Sequence, residues 1–234
     1  SFSVTIFSQT IVPAVFSDNM VLQQQENVAI WGLDKAGTTI IIESSWGAKA
    51  KTITAADGTW STTLKTTKAS FEKQSLVIEG TSKISLQNIL IGEVWFCSGQ
   101  SNMEWALNSK VNNADKYLKI ADNPNIRLFN NQRASSLTPS FDAKGTWVES
   151  DKKAAEKFSA IGYIFAVKLS ETIKTPIGII ESSWGGTRIE SWLPSQNISK
   201  YPEIKIPTVL PAELDKQKLP TALYNAMIFP FKRH

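Results

Sequence analysis

Between residue 10 and about residue 88, apolar and β-branched residues come in short runs broken by turn formers. Segments 28–31, 38–43, 51–54, 59–64, 76–78 and 84–91 are rich in Val, Ile, Thr and Trp, the residues that suit a pleated, half-buried surface. Between them stand Gly32, Gly37, Trp46-Gly47, Asp57-Gly58 and Gly80. Asp57-Gly58, lying between Ile53 and Trp60, predicts a hairpin, because both residues tolerate positive φ. Short strands at this spacing read as an antiparallel β-sandwich.

After about Ile89 the pattern changes. The run Val94-Trp95-Phe96-Cys97 suits a buried strand, and it leads into Ser98-Gly99-Gln100-Ser101-Asn102 and a helix expected from about Met103. A further helix is expected over 114–120, a strand over 126–129 and a long helix over 154–172. In the long helix Phe158, Ile161, Phe165 and Leu169 recur at three and four residues and mark its expected apolar face. Pro176 stops it, and residues 177–180 resume as a strand. This alternation argues for a parallel sheet covered by helices, so the fold class is α/β with an N-terminal sandwich. The expected division is residues 1–88 and residues 89–234. The four prolines between 202 and 220 mark a loop, and 223–229 begins another helix.

Composition narrows the function classes. The 234 residues are 42% hydrophobic and 20% charged, which excludes a disordered chain. No apolar run is long enough for a membrane-spanning helix, and one cysteine forms neither an internal disulfide nor a cysteine-rich zinc site. The net charge of +4 comes from 25 basic and 21 acidic residues spread along the chain without a basic cluster, so neither nucleic acid nor a membrane is an expected partner. Residues 1–7 carry no signal-peptide pattern. The single histidine is His234, which restricts any scheme based on imidazole.

Two turns could carry chemistry. Ser101 follows an apolar strand and opens a helix, a placement that holds its hydroxyl off the sheet and aims its backbone N–H at a developing oxyanion. On local sequence alone a plain N-cap serine on a glycine-supported turn is the better reading, and Met103 stands where Gly-x-Ser-x-Gly requires its second glycine. The second turn is Ser182-Ser183-Trp184-Gly185-Gly186-Thr187, where paired glycines after a strand expose backbone N–H groups. Ligand sites in open α/β sheets lie beyond the carboxyl ends of strands, so the two turns are expected to converge. Cys97 reads as a small buried hydrophobe. Glu93 and Glu104 flank the serine turn without an evident partner, and the Asn197-Ile198-Ser199 sequon is the remaining motif.

Residues 92–105 (GEVWFCSGQSNMEW) together with 176–192 (PIGIIESSWGGTRIESW) resemble the sialate O-acetylesterase family of SGNH hydrolases. Residues 16–23, 28–32 and 223–228 are similar to that family's β-domain entry and to a segment preceding its third motif. The resemblance implies an N-terminal sandwich and the first part of an SGNH-type α/β/α domain. It implies Ser101 as nucleophile, with its own N–H and that of Gly185 or Gly186 as oxyanion donors, and the sequence does not decide between the glycines. Gln100, Asn102, Trp105 and Trp184 are the implied substrate-binding residues. The implied substrate is an O-acetylated sugar, sialic acid or another acetylated glycan, with no metal and no cofactor, in a secreted or periplasmic setting.

The family pattern also contains a Gly-Glu-Ser-Asn type motif and an Asp-x-x-His pair, and neither is present here. His234 is preceded three positions earlier by Phe231, so it does not complete the pair. The chain alone is therefore expected to be a poor esterase, its base supplied by a companion chain or C-terminal segment. The alternative expectation is a catalytically incomplete, sugar-binding remnant.

Overall fold

The computed structural model describes residues 8–209 and 216–232. Ten strands carry the fold: β1 (Val21–Gln23), β2 (Asn27–Leu33), β3 (Thr39–Ser44), β4 (Lys49–Ile53), β5 (Thr59–Lys65), β6 (Ser70–Glu79), β7 (Lys83–Gly99), β8 (Asn123–Asn130), β9 (Trp147–Ser150) and β10 (Ile177–Ser183). β2 and β5 form a two-stranded antiparallel sheet. The remaining strands form one large sheet in the order β4-β3-β6-β7-β10-β8-β9, with β1 alongside β7. Ile30, Trp31, Trp60 and Leu64 from the small sheet pack on Ile40, Ile42, Leu76 and Ile78 from the large one, which makes the first part of the chain a β-sandwich.

The Asp57-Gly58 turn forms, with Gly58 at φ +85° and its N–H bonded to the Ala55 carbonyl at 3.0 Å. It is not a hairpin. β4 pairs with β3 while β5 pairs with β2, so the turn carries the chain from one sheet to the other. Its residues set the local bend, and the pairing partners are decided by strands elsewhere in the chain.

β7 is 17 residues long and belongs to both parts of the molecule. Its first half pairs antiparallel with β6, and residues 93–99 pair parallel with β10. The expected junction at residues 88 and 89 lies inside this strand, at Asn88, whose φ is +57°. Here Arg127 of β8 reaches across: its guanidinium donates to the carbonyls of Asn19 and Asn88 and to the Asn88 side chain, each at 3.2 Å, and to the Pro124 carbonyl at 2.6 Å. Arg127 is 0% exposed and ion-paired with Glu149 at 3.2 Å. Burial pulls its pKa down from the usual arginine value, and Glu149 opposes that shift.

In the second part, β7, β10 and β8 run parallel, with β9 antiparallel at the edge. β10 is buried along its whole length. On one face Ile177 and Ile179 pack with the helical layer, and on the other Ile180 joins the core of Phe129, Trp147 and Phe231. The α-helices are α1 (Ser101–Glu104), α2 (Ala114–Leu118), α3 (Lys152–Lys157), α4 (Ala160–Ile173) and α5 (Ser195–Ile198). None of the helices among the described residues is long and apolar enough to cross a membrane.

The expected single helix over 154–172 is two helices. Asp151 caps α3 by accepting the Ala154 N–H at 2.6 Å, and Ser159 caps α4 by accepting the Gly162 N–H at 3.1 Å, with Phe158 extended between them. This restart changes the buried face. Tyr163, Ala166 and Val167 face the sheet, while Ile161 is 52% exposed and Phe165 packs edge-on against Trp95 at 5.0 Å. Residues 223–229, expected to begin a helix, form a π-helical turn, Tyr224–Ile228, followed by a 3₁₀ turn, Phe229–Phe231.

Candidate active site

The carboxyl ends of β7 and β10 bring the two turns together. Gly99 closes β7 at φ +155°, a conformation closed to L side chains, and the chain enters α1 at Ser101. The expected helix from Met103 is thus a single turn of four residues starting at Ser101, too short to contribute a substantial dipole. Its position is fixed from behind by the break between α3 and α4. The Ala160 N–H donates to the Trp105 carbonyl at 2.8 Å, the Leu107 N–H donates to the Phe158 carbonyl at 3.0 Å, and Ser159 Oγ donates to Met103 Sδ at 3.4 Å. The cap that defeats the long-helix expectation is therefore the seat of the serine turn.

Trp184 N–H donates to the Gly99 carbonyl at 3.1 Å, which ties the glycine turn to the serine turn. Gly185 then lies against Ser101: a Cβ built on it would stand 3.4 Å from Ser101 Oγ and 3.5 Å from Ser101 Cα. The Gly185 N–H donates to Glu104 Oε2 at 2.9 Å. Gly186 follows at φ +71°, exposed, with nothing within 4 Å of where a Cβ would be. Among the described residues neither Ser101 Oγ nor the Gly186 N–H has a hydrogen-bond partner. Ser101, Gln100 and Asn102 are exposed.

Glu104, without an evident partner in sequence, has two. Besides Gly185 it takes Arg133, whose Nε donates to Glu104 Oε1 at 2.6 Å and whose Nη2 closes an ion pair on the same oxygen. Arg133 also lies over the Trp184 ring at 5.9 Å. Glu93 is likewise engaged, accepting Gln24 Nε2 at 2.7 Å. Of the two tryptophans expected at a substrate site, Trp184 is half-buried against Leu223 and Met227, and Trp105 is exposed with its indole N–H on the Ser109 carbonyl at 2.7 Å.

Under this surface sits a polar layer. Glu181, at the end of β10, is 5% exposed, accepts the Ser183 hydroxyl, and has its pKa pushed up to about 7, mainly by burial. Asn131, just past β8, donates from Nδ2 to Ser182 Oγ at 2.9 Å, and Ser182 donates to the Met227 carbonyl at 2.8 Å. Arg133, Glu181 and Asn131 were not singled out from the sequence. The available signal was a glutamate closing an otherwise apolar strand and two asparagines at the end of the next one. Cys97 is part-buried against the helical core, and burial raises its thiol pKa, which suits a packing role. His234 lies outside the described residues. Among the described residues no group of three or more His, Cys, Asp or Glu could hold a metal ion.

Residues 91–220 match the family described as carbohydrate esterase, sialic acid-specific acetylesterase. The chain is 31% identical over 198 residues to sialate O-acetylesterase of Rattus norvegicus, covering 76% of the chain and 36% of that protein. With the Homo sapiens sialate O-acetylesterase it shares 26% identity over 232 residues, 92% of the chain and 44% of the relative. Among solved structures, a carbohydrate acetylesterase from Xanthomonas citri superposes with a TM-score of 0.83 at 28% identity, over 96% of this chain and 48% of that one. The chain thus spans less than half the length of the relatives it matches.

Proposed function

The chain belongs to the sialic acid-specific acetylesterase family of carbohydrate esterases, and on that premise we propose that it carries the nucleophile and oxyanion site of an enzyme that removes O-acetyl groups from sugars. The observation that supports this most directly is the Trp184 to Gly99 hydrogen bond, which sets Gly185 against Ser101 at the ends of two neighbouring parallel strands.

In this reading Ser101 Oγ attacks the acetyl carbonyl. The tetrahedral oxyanion is met by the N–H groups of Ser101 and Gly186, since Glu104 already holds that of Gly185. The serine proton passes to an imidazole and then to the departing sugar oxygen, leaving an acetyl-enzyme that water hydrolyses. That imidazole, with its aspartate, comes from an Asp-x-x-His pair on a companion chain or segment. The substrate is an O-acetylated sialic acid or another acetylated glycan, met in a secreted or periplasmic compartment.

A second reading, a sugar-binding remnant, is favoured by the occupied Gly185 N–H and by a Ser101 hydroxyl without a partner among the described residues. One experiment separates the two. Acetate release is measured from an aryl acetate and from O-acetylated sialic acid, alongside covalent labelling by a fluorophosphonate, for the chain supplied with a companion segment that carries the Asp-x-x-His pair and for its Ser101→Ala variant. Labelling and release that vanish in Ser101→Ala support the esterase. Release that survives the substitution removes Ser101 as nucleophile, and absence of labelling in the parent chain supports the remnant.

A further inference from the structure

β1 lies along one side of β7 as far as Gly92, and β10 pairs with β7 from Glu93 to Gly99. The Gly92 carbonyl accepts the Gln24 N–H at 2.8 Å and the Glu93 N–H donates to the Pro176 carbonyl at 2.9 Å. Adjacent residues of a strand point opposite ways, so β1 and β10 lie on opposite sides of β7. Past Gly92 the side that β1 covered is open: no strand among the described residues pairs with it along residues 94–98. The Val94 N–H on that side goes to Gln23 Oε1 at 2.9 Å, a side chain standing where a strand would. The N–H groups of Phe96 and Ser98 point the same way and have no partner among the described residues.

Both faces beside this open edge are apolar. On the helical face Trp95, 44% exposed, meets Phe165 of α4, where Ile161 and Ile173 also stand exposed. This is the stripe whose spacing predicts a buried face, and it looks toward the open edge. On the other face Phe96, 39% exposed, meets Phe231 at 5.3 Å beside a cavity of about 450 Å³ lined also by Val28, Val94, Ile180 and Ile228. Open edges are normally guarded by charge or proline, as β4 at the far end of the sheet is by Lys49 and Lys51. Residues 94–98 carry neither.

An unguarded edge with apolar surface on both faces fits a strand that is itself apolar on both faces, together with a helix that covers the α4 stripe. The solved Xanthomonas citri chain has material for such a unit, since about half of it has no counterpart here. We propose that the open edge of β7 takes one further parallel strand from a companion segment, with an attached helix packed on Ile161 and Phe165. Running in the direction of β7, that strand ends beside the serine turn, and the loop that follows it reaches Ser101. That the segment also brings the Asp-x-x-His pair rests on the esterase reading above, and the docking itself does not.

The probe is the part of the Xanthomonas citri chain without a counterpart here, fused behind residue 234 through a Gly-Ser linker so that the high local concentration registers even a weak fit. Hydrogen exchange of the Phe96 and Ser98 amides is compared with that of the unfused chain. Both are expected to slow by on the order of a hundredfold in the fusion, as amides do on entering a paired strand. Ile161→Lys on the stripe and Phe96→Lys on the edge should each return about tenfold of the Ser98 protection, because docking would bury the new charge. Ile53→Lys, likewise at an exposed residue but on β4, should return none. Ile161→Lys is a surface change and keeps the test valid should Phe96→Lys fail to fold. Exchange that the fusion leaves unchanged, or protection that both variants leave intact, overturns the proposal. A dimer of the unfused chain in which these amides are already protected gives the edge to a second copy and overturns it as well. Fluorophosphonate labelling of Ser101 in the fusion without amide protection defeats this inference alone. Protection without labelling defeats the esterase reading alone.

Discussion

The Glu104 carboxylate accepts the backbone N–H of Gly185 at 2.9 Å, one residue before the amide assigned here to the oxyanion. A full negative charge this close to a developing oxyanion would oppose it, and the Arg133 guanidinium on the other carboxylate oxygen offsets that charge. Glu104 therefore fixes the glycine turn, and in the esterase reading proposed above Arg133 offsets the charge that the carboxylate brings beside the oxyanion.

Glu104→Ala is expected to release the turn. The Gly185 amide should exchange its hydrogen markedly faster, and the chain should lose roughly 1–2 kcal/mol, the usual cost of a hydrogen bond to a charged group at a partly exposed site. Glu104→Gln keeps an acceptor and should lose less. Native-state hydrogen exchange and urea denaturation measure both.

Gly185→Ala places a methyl 2.7 Å from Glu104 Oε2 and 3.4 Å from Ser101 Oγ. The carboxylate must swing aside, and the methyl then stands against Ser101 Oγ, the proposed nucleophile. Fluorophosphonate labelling of Ser101 should slow by about tenfold or more, in line with the effect of a small misplacement of reacting groups. The displaced carboxylate gives up the Gly185 N–H, so urea midpoints should report a loss of roughly 1–2 kcal/mol, like that of Glu104→Ala.

Glu181 gives a stability change with pH of defined sign. Its folded pKa of about 7 lies above the unfolded value near 4.5, so between those values the native state holds a proton that the unfolded chain has released. Stability should therefore fall as pH rises from about 5 to about 7 and level off above that, by about 3 kcal/mol at most from this group. Glu181→Gln retains an acceptor for Ser183 and should flatten the slope, leaving the variant the more stable chain at pH 8. Denaturant midpoints across that window decide the matter.

Arg127 should be among the least replaceable side chains. Arg127→Met leaves the partly buried carbonyls of Asn19 and Asn88 and the Glu149 carboxylate without their donor, for a loss of roughly 2–3 kcal/mol. Arg127→Lys keeps the charge but not the fork of donors, so it should recover little of that loss. Urea midpoints of the two variants make the comparison.

What the sequence made legible follows from the range of each interaction. The strands of the sandwich show in β-branched runs, and the two turns show in adjacent glycines and serines, because both are local patterns. The Asp57-Gly58 bend is local too, but the pairing of β4 and β5 with different partners is not, and the hairpin expectation failed there. The apolar spacing from Phe158 to Leu169 misled because Ser159 restarts the helix and shifts its phase, so that small residues and Tyr163 meet the sheet. The polar layer of the site was out of reach for the same reason. Glu104 meets Arg133 29 positions away and Gly185 81 positions away, and no spacing rule connects them.

β7 has a consequence for inheritance. A strand that starts in the sandwich and ends two residues before Ser101 leaves no seam between the parts. An exchange of coding segments that broke the chain near residue 88 would divide a continuous hydrogen-bonded strand and separate Asn88 from Arg127. The sandwich is thus expected to travel with the serine turn through evolution as one cassette, and chimaeras that swap it between relatives should keep the two together, with the crossover falling after Glu104.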